Sequence, residues 1–288
     1  MKLVTYEFAG ESRLGAVRDQ AVIDLAQFAP DMLGFIDAGE TVWAQAEAFV
    51  AEAAITRPLT DITLLAPIPN PRRNVMCLGL NYVEHAEESY TARGQTTQIP
   101  DFPIVFTKAT TAVNGPYATI PFDTAVSTRI DWEAEMAFII GRRGKNISLE
   151  EAMTYVFGYT IINDISARDL QSQHKQYFKG KSLDGSCPMG PWIVTPHDLR
   201  DPHNLAITSR VNGVTKQASN TRYMIFNIPT IIYHLSRGMT LLPGDIIATG
   251  TPSGVGFARQ PPEYLAPGDI VECEVEGLGV IRNSLINV

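Results

Sequence analysis

The run from Arg129 to Gly141, R-I-D-W-E-A-E-M-A-F-I-I-G, places Glu133 and Glu135 two positions apart. In an extended chain that spacing sends both side chains off one face, where they can converge on one ion. Two such carboxylates repel, and a divalent cation, a bound proton or solvent must relieve the repulsion. The same alternation also describes the wet face of an amphipathic strand. A second run near the end, Glu272, Glu274 and Glu276, is assigned to a wet face because it has no partner Asp or His nearby. Asp164 closes the apolar run Y-T-I-I-N-D. A carboxylate there is either a third oxygen ligand or a helix cap, with Arg168 as its local partner.

His85 and Glu88 lie three apart in V-E-H-A-E-E-S-Y. On a helix they share a face, so the carboxylate can orient the imidazole as a general base needs, or the two can be a surface pair. The polar stretch from Thr91 to Pro100 has few apolar anchors and reads as a mobile loop beside that candidate base. Lys179 and Lys181 open a glycine- and proline-rich segment. They are either solvated or a fixed positive charge for an oxyanion. The loop T-G-T-P-S-G-V-G after Asp245 lets backbone approach a ligand closely, but it carries no phosphate-loop pattern.

These side chains need a frame. Residues 2–8 and 14–25 read as strands of a meander. The segments 31–38 and 41–54 read as helices, the second with Val42, Ala46, Phe49, Val50 and Ala53 on one stripe. Pro67, Pro69 and Pro71 break regular structure, which sets an expected boundary between a small domain, 1–70, and a larger one, 71–288. In the larger part N-V-M-C-L-G-L-N-Y reads as a buried strand ending in a turn. Ser148 and Glu151 match a capping box for a helix over 149–156. Asn212-Gly213 marks a hairpin with a type I′ turn. A helix over 227–236 packs on the sheet and makes His234 structural. Another hairpin closes the chain.

At 288 residues, with 45% hydrophobic and 19% charged, the chain is of ordinary globular composition. A net charge of -8 argues against a nucleic-acid partner, whose phosphates call for Lys and Arg. No apolar run approaches the ~18 residues of a membrane span, and the start M-K-L-V-T-Y-E-F-A-G has no secretory pattern, so a cytoplasmic location is expected. Cys77, Cys187 and Cys273 are far apart and imply reduced thiols. The metal chemistry left to the chain is oxygen-based, suited to magnesium, manganese or calcium.

Five stretches in order, L-G-L-N-Y-x-x-H-x-x-E, D-W-E-A-E, N-D-I-S-A-R-D-L-Q, G-K-S-L-D-G-S-C-P-M-G-P-W and G-D-I-I-A-T-G-T-P-S-G-V-G, resemble the fumarylacetoacetate hydrolase family over roughly residues 70 to 288. Leu183 departs from the aromatic that often follows this serine, which leaves substrate size open. The resemblance implies a mainly β, α+β fold, a mixed β-sandwich roll, and a homodimer. It implies Mg²⁺ or Mn²⁺ on Glu133, Glu135 and Asp164, with His85 and Glu88 as the water-activating dyad. Lys181 matches the active-site lysine, and Arg168, Gln171 and Thr251 match positions that touch substrate oxygens. The expected reaction is hydrolytic carbon–carbon cleavage of a 1,3-diketo acid such as an acylpyruvate. Decarboxylation of oxaloacetate and isomerisation or decarboxylation of a 2-oxo-hept-ene-dioate are alternatives on the same scaffold, and a non-catalytic metal-binding relative is a third.

Overall fold

The computed structural model of the chain describes residues 1–55 and 57–288. Its centre is the strand Ala134–Ile140, buried at every position because its apolar side chains feed two cores. Met136, Phe138 and Ile140 point to one core and Ala137 and Ile139 to the other, as a period of two requires. Each fully buried Ile or Phe here is worth ~1.5–3 kcal/mol, so the strand is a rigid base for the glutamates at its start.

The strand lies inside a twelve-stranded sheet, between Val156–Asn163 and Ile246–Ala248, both antiparallel to it. Beyond Ile246–Ala248 come Val75–Gly79 and, at the edge, Ile104–Lys108. On the other side, Cys187–Val194 joins Val156–Asn163 to the N-terminal strands. Helices Met32–Ala38 and Glu40–Glu52 cover one face through Phe35, Ile36, Ala46 and Val50. A five-stranded sheet and the helix Ile228–Ser236 cover the other through Ile207, Cys273, Ile281, Ile231 and Ile232. The mainly β, α+β sandwich expected from the motifs is the fold observed.

The N-terminal meander has three strands, Lys2–Phe8, Glu11–Arg18 and Ala21–Asp24. Asp19 and Gln20 turn through positive φ and split what reads in sequence as one strand. The proline-rich stretch after it is packed: Ala66 and Ile68 are buried, and the Thr5 hydroxyl donates to the Pro67 carbonyl at 2.7 Å.

Two expected elements differ. The Glu151 amide donates to the Ser148 hydroxyl at 3.3 Å, as a capping box requires. Only a 3-10 turn, Ala152–Tyr155, follows, because Val156 already enters the sheet beside Ile140. The run Arg129–Gly141 is not one strand either. Ile130–Asp131 pairs with Ser166–Ala167, and the chain breaks at Trp132 and Glu133. There the amides bond side chains instead of a ladder, Trp132 N to Asp131 Oδ1 at 2.8 Å and Glu133 N to Asn163 Oδ1 at 3.1 Å.

Candidate active site

Glu133 and Asp164 sit where the antiparallel neighbours Ala134–Ile140 and Val156–Asn163 leave the sheet at one end, joined by a hydrogen bond from the Asp164 amide to the Glu133 carbonyl at 2.9 Å. Glu135 is one residue inside the strand. One carboxylate oxygen from each of the three lies within 4.8 Å of the others, and all three residues are buried. An all-oxygen, buried, triply acidic set fits a hard divalent cation held by ligands at ~2.0–2.6 Å. A second acidic group, Glu47, His197 and Asp198, is exposed.

The triad is flanked by cations. The Lys181 ammonium donates to Glu133 Oε2 at 2.5 Å and to Asp164 Oδ2 at 2.7 Å. Lys108, fully buried on the edge strand, donates to Asp164 Oδ1 at 2.7 Å and to the Ile165 carbonyl at 3.0 Å. Arg168 donates to Glu133 Oε1 at 2.6 Å. Burial alone drives the Glu133 carboxyl upward, but the charges of Lys181 and Arg168 outweigh it and hold the group well below the usual carboxylate range. Among the described residues, Glu135 has only the Gly250 amide, at 2.8 Å, as a direct donor. Burial, then the charges of Asp164 and Glu133, push its carboxyl well above the ordinary value.

His85 and Glu88 are on the helix Val83–Ala92, three apart as the spacing predicts. The His85 Nδ1–H donates to Glu88 Oε1 at 2.8 Å, because a carboxylate can only accept. That leaves Nε2 as the ring nitrogen open to a proton. The Glu88 carboxylate is itself held by the Gly254 amide at 2.8 Å.

One cavity is lined by His85, Glu133, Glu135, Arg168, Gln171, Lys181 and Thr251, with Phe106 and Phe257 among its apolar walls. It contains seven of the nine residues singled out in the sequence; Glu88 stands behind His85, and Asp164 behind Lys181. Gln171 accepts from Arg168 at 3.1 Å. The Thr251 hydroxyl is engaged within the protein, donating to the Ala134 carbonyl at 2.9 Å and accepting from Gln217 at 2.7 Å. Lys179 is exposed on the short helix Phe178–Lys181. The second glutamate run faces the surface, where Arg210 pairs with Glu272 and Glu274.

Several site residues went unassigned from the sequence. Asp131, fully buried, accepts from Arg168 Nε at 2.8 Å and from the amides of Gly256 at 2.7 Å and Phe257 at 3.1 Å. The glycine-rich loop thus gives backbone donors to Glu135, Glu88 and Asp131 in turn, tying the helix that carries the dyad to the acidic strand. Gly256 is required in that loop: a Cβ there would lie 2.1 Å from the Glu263 carbonyl and 2.8 Å from Asp131 Oδ1. The signal for Asp131 was present, since D-W-E-A-E continues the period of two back from Glu133. Lys108 ends the apolar strand I-V-F-T-K, a position that burial makes exceptional for a lysine.

Residues 74–286 match the model of the fumarylacetoacetate hydrolase C-terminal family. The chain is 46% identical over 227 residues to the oxaloacetate tautomerase YisK of Bacillus subtilis, covering 79% of this chain and 74% of that one. It is 43% identical over 270 residues to the mitochondrial oxaloacetate tautomerase Fahd2a of Rattus norvegicus, covering 92% and 84%. Among solved structures, maleylpyruvate hydrolase of Sphingobium sp. SYK-6, in complex with manganese(II) and pyruvate, superposes with a TM-score of 0.82 at 28% identity, covering 100% and 99%.

Proposed function

The chain belongs to the fumarylacetoacetate hydrolase family, and from that premise we propose that it is a divalent-metal enzyme that interconverts the keto and enol forms of oxaloacetate. The reading rests on one observation: two glutamates of a buried carboxylate triad and an oriented histidine line a single cavity, with the third carboxylate, Asp164, directly behind it. The similarity to two oxaloacetate tautomerases supports this reaction over the hydrolytic cleavage that the motifs first suggest, and moves hydrolysis to second place. Among the described residues no helix is long and apolar enough to cross a membrane.

Glu133, Glu135 and Asp164 would hold Mg²⁺ or Mn²⁺, and the maleylpyruvate hydrolase complex supports such an ion beside a 2-oxo acid. When bound, the ion supplies Lewis-acid polarisation of a 2-oxo carbonyl, which acidifies the adjacent carbon. His85, kept in the Nδ1–H form by Glu88, takes a proton from C3 at Nε2 and returns it to the enol oxygen. No water is consumed, and the proton lost by carbon is the one gained by oxygen. Arg168 and Gln171 hold a substrate carboxylate or carbonyl oxygen, and Lys181, between Glu133 and Asp164, adds fixed positive charge where the enolate oxygen forms. The apolar walls from Phe106 and Phe257 limit water near the transferred proton.

A hydrolase needs the same dyad to activate water, and a decarboxylase needs no proton at C3 in its first step. Product analysis separates the three. Oxaloacetate and a short acylpyruvate are each incubated with the Mg²⁺-loaded protein, and enol decay, pyruvate and the free acid are followed. Enol–keto relaxation of oxaloacetate without pyruvate is the expected result. Accumulation of pyruvate from oxaloacetate would replace the reading with decarboxylation, and cleavage of the acylpyruvate alone would replace it with hydrolysis.

A further inference from the structure

We propose that Arg93, Arg129 and Lys175 form an outer subsite for the second carboxylate of a dicarboxylic 2-oxo acid, so that the pocket selects dianions over monoanions. The inference rests on reading the inner cavity as the seat of the 2-oxo acid group. That cavity has room for only about 30 Å³ and is already filled with charged side chains. It adjoins a cleft of about 600 Å³ lined by Arg93, Arg129, Arg168, Gln171, Ser172, Lys175, Tyr177, Phe257 and Tyr264. Arg93, Arg168, Gln171, Tyr177 and Phe257 border both, so the two spaces are continuous. A ligand whose oxo acid end occupies the inner cavity must extend into this cleft.

The two compartments differ in where their positive charge is spent. Lys108, Lys181 and Arg168 are each committed to buried carboxylates of the chain at 2.5 to 2.8 Å. Of the described residues, those lining the outer cleft include four cationic side chains and no carboxylate. Among the described residues, Arg129 and Lys175 have no ion pair and no side-chain hydrogen bond, and Arg93 has only the ring of Phe257, 5.8 Å from its guanidinium carbon. The three come from separate segments: the end of the helix that carries the dyad, the approach to the acidic strand, and the turn after Arg168–Gln173. In a chain of net charge -8 their convergence leaves uncompensated positive potential at the mouth of the cavity. Arg168 pairs inward with Asp131 and Glu133 and stacks over Phe257 at 4.5 Å, marking the passage between the two spaces. Pyruvate ends within the inner cavity, whereas the far carboxylate of a longer acid reaches free donors.

The test is direct binding to the Mg²⁺-loaded protein by calorimetry, with pyruvate as the monocarboxylic probe and 2-oxoglutarate as the dicarboxylic one. Arg129→Gln combined with Lys175→Gln should weaken 2-oxoglutarate by about tenfold, the scale of one charge-assisted hydrogen bond in an open cleft, and leave pyruvate unchanged. Both positions are exposed, so folding is not at stake. Arg143→Gln, an exposed cation elsewhere, controls for net charge and should leave both probes unchanged. Equal weakening of both probes by the double variant, no weakening of either, or a wild type that binds 2-oxoglutarate no tighter than pyruvate would each overturn the subsite. Oxaloacetate turnover is measured in parallel. Turnover with failed discrimination removes the subsite alone, discrimination without turnover removes the reaction alone, and a wild type that binds neither probe removes both.

Discussion

Replacing Asp131 with Asn removes one charge from a buried ion pair behind the site while keeping its shape. In the wild type, Asp131 Oδ1 accepts from the Trp132 and Gly256 amides and Oδ2 from Arg168 Nε and the Phe257 amide. An asparagine presents one oxygen and one NH₂ group, so two of the four donors lose their acceptor and meet another donor instead. With Asp131 fully buried and the Arg168 side chain 10% exposed, water cannot replace what is lost. Breaking a buried pair on one side costs about 3–5 kcal/mol. Urea unfolding of the metal-free protein should show the midpoint fall with an unchanged slope, and 2-oxo acid binding should weaken as Arg168 loses its orientation. Glu274→Gln is the comparison, since its bond to Arg210 is at the surface and is worth about 0–1 kcal/mol. A loss below about 1 kcal/mol for Asp131→Asn would refute the idea that this pair is desolvated and fixes Arg168.

Three further outcomes are expected. Glu133→Ala or Asp164→Ala should weaken Mg²⁺ or Mn²⁺ binding in calorimetry by more than the ~10–100-fold seen when only an outer partner of a ligand is removed; an equal loss for Glu274→Ala would contradict the assignment. Burial and the neighbouring charges of Asp164 and Glu133 raise the Glu135 carboxyl, so the metal-free site competes for a proton that the ion must displace. Metal affinity should therefore rise with pH and binding should release protons, detectable as a heat that varies with the buffer; a pH-independent affinity would contradict this. Gly256→Ala forces its Cβ against the Glu263 carbonyl, and the loop must shift away from Asp131. That variant should lose oxaloacetate turnover while metal affinity changes less than in Glu133→Ala, which a comparison of the two measurements checks.

The residues of the site were legible where chemistry and local periodicity coincide. His85 and Glu88 meet because helical spacing brings them together, and Glu133 and Glu135 because they flank the start of a strand that apolar residues anchor on both faces. The hairpin at Asn212-Gly213 followed from turn chemistry, and the helix expected over 227–236 is observed at Ile228–Ser236 with Asn227 as its cap. Long-range partners were harder to see. Lys108 reaches Asp164 across 56 positions of sequence, and Asp131 is braced by amides 125 and 126 residues away. No local pattern encodes such contacts. The helix expected over 149–156 failed for a related reason: its cap forms, but sheet pairing from Val156 overrides the local preference.

The most direct test of the account follows the proton that His85 is proposed to carry. Oxaloacetate is incubated in deuterated water with Mg²⁺-loaded wild type, His85→Ala and His234→Ala, and deuterium at C3 is read by NMR as enol absorbance relaxes. The account predicts rapid exchange and relaxation for wild type and His234→Ala, near-background rates for His85→Ala, and unchanged metal affinity in all three. Full activity in His85→Ala, or exchange that persists when Mg²⁺ is removed by chelation, would contradict it.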